Sequence, residues 1–263
     1  SDHHLAQMGE VGEIMGGERQ HLVVGVLRRG DLAPAGHGGL RLQHLQLLVL
    51  GIVHDERLAQ GAVESVIGVE ARKLLGSVRV GKRPRGIGFT PDGLRAYVAC
   101  EIANTVYAID VPNRKVLAAI PAGGRSNGIK VHPTGREVYV SNGADGTVMV
   151  IDTATNTVKH TIKVGNRPWN MALTADGGKL YVANGRSNSV SVIRTADNTV
   201  VATVPFSDSP HRVCAVSDGS CVYVTMYGGS RVFVVRTSDN AVVDSFVSGA
   251  SAIGMTMFPG TDY

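Results

Sequence analysis

An all-β fold, a β-propeller of four-stranded antiparallel blades, is the architecture this chain predicts, on three observations. The dipeptide Tyr-Val falls at residues 97–98, 139–140, 181–182 and 223–224, a step of 42 residues each time. The turn triplets Pro91-Asp92-Gly93, Pro133-Thr134-Gly135, Ala175-Asp176-Gly177 and Ser217-Asp218-Gly219 keep the same step, as do Gly81, Gly123 and Gly165. Within each unit, four runs of four to six residues rich in Val, Ile, Tyr and Thr are bounded by Gly, Asn, Asp or Ser. Such runs read as short strands between tight turns, and four of them per repeat of about 40–45 residues is the pattern of a propeller blade. No run is long enough for a helix, and no apolar spacing of 3.6 appears between residues 80 and 258.

The elements follow in order. The first, innermost strands are expected at 86–90, 128–132, 170–174 and 212–216, with the start of another at 254–258. The Pro-Asp-Gly turns join first to second strands on one face of the disc. On the opposite face lie the loops after Tyr-Val and the loops that lead into the next first strand. Asp110 and Asp152, which follow the third strands, read as turn formers. Backwards, residues 65–68 and 74–81 match the third and fourth strands of an earlier blade, so about five blades are visible and the disc reads as incomplete.

The motifs Tyr-Val-Ser-Asn, Tyr-Val-Ala-Asn, Val-Ile-Asp-Thr-Ala-Thr-Asn-Thr-Val and Val-Gly-Asn-Arg-Pro-Trp resemble the YVTN-type β-propeller repeat over about residues 64–263. The resemblance implies a mostly bacterial or archaeal protein, usually seven-bladed, exported to the periplasm or cell surface. For function it implies little, because one fold hosts many activities.

Residues 1–63 form a different segment. They contain no Lys, Thr, Asn, Cys, Phe, Tyr or Trp, yet hold six of the nine His. This break suggests either a stretch read out of frame or an accessory segment, with 64–263 as the propeller proper. Residues 20–29 and 40–54 carry enough apolar residues for strands or one helix, and neither is assigned. A strand drawn from 45–53 that pairs with the loose first strand at 254–258 would close a small ring; an open crescent is the equal alternative. The apolar run at 47–53 is far too short to span a bilayer, so no membrane span is expected, and no signal peptide is visible.

The net charge is +4, and the propeller part carries most of the excess cation. Lys82, Arg83, Arg85, Arg125, Arg167, Arg186 and Arg212 sit in loops beside the channel, where clustered cations attract anions. One column breaks the repeat: Arg85, Asn127, Trp169 and His211 occupy equivalent positions directly before each innermost strand. The chain's sole Trp, a His, an Arg and an amide suit a pocket with a flat wall and orienting polar groups. The candidate ligand-binding residues are therefore Arg85, Asn127, Trp169 and His211, with Arg83, Arg125, Arg167 and Arg212.

Other chemistries find less support. There is no Cys-x-x-Cys-His haem site and no cluster with metal-ligand spacing. No cofactor is expected, and neither is nucleic acid, with so few aromatics and no basic stacking strip. Cys214 should face Tyr223 across a hairpin, leaving Cys221 diagonal to it, so a disulfide is not favoured. The expected function is a non-catalytic module that binds a small anionic ligand, a peptide or a protein at the channel mouth. The alternative implied by the resemblance is an enzyme or enzyme accessory, either lactone hydrolase-like or a partner of a haem or quinone-cofactor oxidoreductase. Glu101 is the only obvious carboxylate at the mouth for such chemistry.

Overall fold

The computed structural model describes residues 9–11, 24–26, 48–53, 62–68 and 73–248, with side chains from residue 76 onward. Five antiparallel sheets follow one another along the chain. The first runs β1 (Gly9–Val11), β2 (Val24–Val26), β3 (Leu48–Val53), β4 (Ala62–Gly68) and β5 (Lys73–Val80). The second holds β6 (Pro84–Phe89), β7 (Arg95–Cys100), β8 (Thr105–Asp110) and β9 (Lys115–Pro121). The third holds β10 (Ser126–Val131), β11 (Glu137–Asn142), β12 (Thr147–Asp152) and β13 (Thr157–Lys163). The fourth holds β14 (Pro168–Leu173), β15 (Lys179–Asn184), β16 (Ser189–Arg194) and β17 (Thr199–Pro205). The fifth holds β18 (Pro210–Ala215), β19 (Cys221–Met226), β20 (Arg231–Arg236) and β21 (Val242–Val247). The four-stranded blades predicted from the repeat are thus present.

Each sheet is a blade packed against the next. The first strands β6, β10, β14 and β18 touch in succession, and β2 stands against β6. The fourth strands carry mostly exposed residues and form the outside of the disc. Alternation along a strand sends successive side chains to opposite faces, and the Tyr-Val pairs use both. Tyr97 packs into the cluster shared with Val138 and Val140 of the following blade, whereas Val98 packs with Val78 and Val80 of the preceding one. Tyr97, Tyr139 and Tyr181 are fully buried, because each lies between two sheets.

Polar staples join blades at a constant offset. The Tyr97 hydroxyl donates to Asn156 Oδ1 at 2.8 Å, and the Tyr181 hydroxyl donates to Asn240 Oδ1 at 2.7 Å. Arg95 donates to the Thr153 carbonyl, and Lys179 Nζ donates to the Thr237 carbonyl at 2.5 Å. The third blade breaks the pattern because Glu137 stands where Arg95 and Lys179 stand. It accepts from the Tyr139 hydroxyl at 2.8 Å and from Lys159 Nζ at 2.8 Å. The buried Asn198 Oδ1, where a Tyr139 staple would have ended, has no hydrogen-bond partner.

Two expectations change. The segment 48–53 is a strand, but it pairs with Val24–Val26 on one side and Ala62–Gly68 on the other. Both its edges are met by chain neighbours; its expected partner, 254–258, lies outside the described residues. The innermost strands also begin two residues earlier than expected, at Pro84, Ser126, Pro168 and Pro210. The irregular column therefore lies inside those strands, not before them. Pairing skips at Arg85, across Asn127 and Gly128, across Trp169 and Asn170, and at His211. Each is a β-bulge, which leaves a residue out of the ladder and re-aims its side chain. Cys214 pairs with Tyr223 as expected, and no disulfide joins it to Cys221.

Candidate functional site

The mouth of the channel is assembled by one hydrogen bond repeated in every described four-stranded blade. The backbone N–H of Glu101, Gly143, Gly185 and Tyr227 donates to the carbonyl of Arg83, Arg125, Arg167 and Ser209, at 2.8, 3.0, 3.0 and 2.8 Å. These bonds tie each loop after the second strand to the loop entering its own blade, and they place both on one face beside the bulges.

The entry loops have a second feature in common. Arg83, Arg125 and Arg167 all adopt left-handed backbone, with φ of 57°, 56° and 55°. That conformation costs a side-chain-bearing residue roughly 1–2 kcal/mol relative to glycine. In the outer turns the same strain falls on Arg114, Asn156, Asn198 and Asn240, where asparagine, the cheaper choice, fills three of four slots. At the mouth arginine recurs three times instead.

The third and fourth blades put these arginines to a shared cavity. Arg125, Arg167 and Arg186, with Gly143, Ala144 and Asn166, line a space of about 610 Å³ on this face. No carboxylate is among those lining residues. Burial, and next the guanidiniums of Arg186 and Arg125, pull the Arg167 pKa below the ordinary arginine value, with Glu101 acting weakly the other way. Like charges held this close, in a partly desolvated cleft, make a strong local field for an anion.

Arg83 and Arg85 meet a different fate. Glu101 Oε2 sits 3.2 Å from Arg83 Nε and 2.8 Å from Arg85 Nε, and its side chain is almost fully buried. This carboxylate offsets one of the two charges at the second blade's corner of the mouth, and both arginines are engaged by it.

Trp169 and His211 come together as the column suggested. Their ring centroids are 5.9 Å apart and tilted by 56°. His211 continues to Tyr227 at 5.4 Å, tilted by 51°, and Arg167 Cζ lies 4.6 Å from the centre of the Trp169 ring. Asn127 is half-buried at its bulge, and its carbonyl presses against Gly86, where an added Cβ would stand 2.2 Å away. Arg212 stands at the 42-residue step from Gly86, Gly128 and Asn170 and pairs with Thr225.

Sequence reading passed over Glu101 as a clamp and Tyr227 as a ring. The signal was there at the same step: Glu101, Gly143, Gly185 and Tyr227 form a second irregular column, one hydrogen bond from the entry loops.

A second cavity of about 420 Å³ opens on the turn face, lined by Thr174, Asp176, Lys179, Asp218 and Thr237 among others. Lys179 closes it as an inter-blade staple. Among the described residues no group of three or more His, Cys, Asp or Glu could hold a metal, and no helix is long and apolar enough to cross a membrane.

Comparison with known proteins adds three findings. The family model described as "Lactonase, 7-bladed beta-propeller" matches residues 69–204. Hydrazine synthase of Kuenenia stuttgartiensis is similar in structure, with a TM-score of 0.65 at 21% identity over 76% of this chain and 67% of that one. A functionally unknown protein from Desulfotomaculum acetoxidans DSM 771 is similar at a TM-score of 0.66 and 22% identity, over 76% of this chain and 66% of that one. At such identity these two likenesses speak to fold alone. The chain spans about two thirds of their length. Among curated proteins no sequence matches.

Proposed function

For a chain that belongs to the lactonase, 7-bladed β-propeller family, we propose a binding role at the channel mouth, with a small anion as ligand. One observation carries this reading: Arg125, Arg167 and Arg186 converge on a cavity whose lining holds no carboxylate. A structural use of these arginines would pair them, as Glu101 pairs Arg83 and Arg85. Three guanidiniums on a lining without a carboxylate are instead what an anion receptor requires. The exported setting implied by the YVTN-type repeat is part of the proposal, and cell fractionation would test it.

Hydrolysis of a cyclic ester is the second reading, favoured by the family to which the chain belongs. Opening such a ring needs a base to activate water and a donor for the carbonyl oxygen. Arg167 can supply the donor. Glu101 is committed to two guanidiniums, which leaves His211 as the base. Hydrolysis of carboxylate-bearing lactones that disappears in His211→Ala would support this reading, and an inactive wild-type protein would remove it.

The binding reading is tested by calorimetric titration with sodium sulfate at low ionic strength. One saturable site, weakened at least about ten-fold by Arg186→Ala, is expected, since a charge-assisted contact is worth about 1.5–3 kcal/mol. Equal affinity in the variant would refute it.

A further inference from the structure

Resting on that anion reading, we propose that the ligand also carries a flat ring, and that Trp169, His211 and Tyr227 form the subsite that receives it. The three rings make a continuous row across the fourth and fifth blades, with centroid spacings of 5.9 and 5.4 Å. None of the three is needed by the blade itself. Tyr227 stands where two other blades have glycine, and His211 and Trp169 stand where the others have Arg85 and Asn127.

Tyr227 is 68% exposed although its ring meets that of His211 at a tilt. The aromatic pair that serves the core of these blades is a separate one, Phe206 with Phe233, at 5.3 Å. A half-buried aromatic row that ends in an exposed tyrosine, beside a cationic cavity, is complementary to a ring that bears a negative charge.

The two subsites are physically joined. Arg167 lines the anion cavity and also covers the Trp169 indole at 4.6 Å. Gly185 makes room for the indole: a Cβ there would stand 3.1 Å from Cδ1 and 3.2 Å from Nε1. The next residue, Arg186, returns to the cavity lining. A ligand whose anionic group sits among Arg125, Arg167 and Arg186 therefore has its ring directed along Trp169 toward His211 and Tyr227. The chemical class is an aromatic or heteroaromatic acid of small-molecule size.

Trp169 is the chain's sole tryptophan, so its emission reports on this subsite alone. The experiment compares benzenesulfonate with methanesulfonate at matched ionic strength, read by Trp169 emission and by calorimetry. Benzenesulfonate is expected to bind about ten-fold more tightly, the scale of a stacking contact, and to perturb Trp169 emission more strongly. Tyr227→Ala and His211→Ala should bring benzenesulfonate down to the affinity of methanesulfonate while leaving methanesulfonate unchanged. Arg186→Ala should weaken both. Equal affinity of the two probes in the wild-type protein overturns the ring subsite and leaves the anion site standing. So does a loss in Tyr227→Ala that is equal for both. Binding of neither probe overturns the anion reading and the ring subsite with it.

Discussion

Arg167 lies with its guanidinium carbon 4.6 Å from the centre of the Trp169 ring while its own backbone is held at φ 55°. The residue therefore couples a strained turn to a flat wall and a charged cavity. A cation over an indole contributes about 0.5–1 kcal/mol at a partly exposed site. In Arg167→Ala the indole face opens to water, and Trp169 emission should shift to the red. Arg85→Ala, which touches Glu101 instead, should leave it unmoved.

Left-handed arginine implies a trade between stability and binding. Arg125 sits at φ 56° with its N–H held by Asn104 Oδ1, a contact that any residue can make through its backbone. Arg125→Gly removes the strain and one of three clustered charges. It is expected to cost no stability in urea unfolding, or to gain up to about 1 kcal/mol, while weakening sulfate binding. A destabilised Arg125→Gly protein would show that the arginine braces the loop.

The blades themselves answer to Gly86. Its Cβ position lies 2.2 Å from the Asn127 carbonyl oxygen of the next blade, a backbone atom that cannot rotate away. Gly86→Ala should destabilise by about 2–3 kcal/mol, as overpacking does. Gly219→Ala has φ +74° but open space around it, so only the turn strain of about 1–2 kcal/mol applies. Denaturant midpoints of the two variants should fall in that order.

Staples can be separated by double-mutant cycles. Tyr97 and Asn156 are bonded, and Tyr97→Phe with Asn156→Gly should show a coupling of about 1 kcal/mol. Tyr139 bonds Glu137 instead, so Tyr139→Phe with Asn198→Gly should show none.

How much of this was legible follows from the arithmetic of the repeat. Strands, turns and the rim column all recur at 42 residues and could be read directly. The staples could not, because Tyr97 to Asn156 and Tyr181 to Asn240 span 59 residues, a cross-blade offset that no comparison within the repeat reveals. The bulges were hidden as well. A skipped ladder pair leaves no composition of its own, and the four residues involved differ in every blade. Leu48–Val53 lies in an apolar run that suits a strand or a helix equally, and its partner Val24–Val26 lies in a segment without the period. At the site, Trp169 and His211 were found by their departure from the repeat. Tyr227 was missed because its column, Glu, Gly, Gly and Tyr, looks like an unconstrained loop until the backbone bond to the entry loop is seen.

The most direct test of the anion site is a crystal structure with selenate, located by its anomalous scattering. One selenate is expected between the guanidiniums of Arg125, Arg167 and Arg186, with Trp169 still covered by Arg167. A mouth cavity without selenate, in crystals that bind it elsewhere, would refute the anion site.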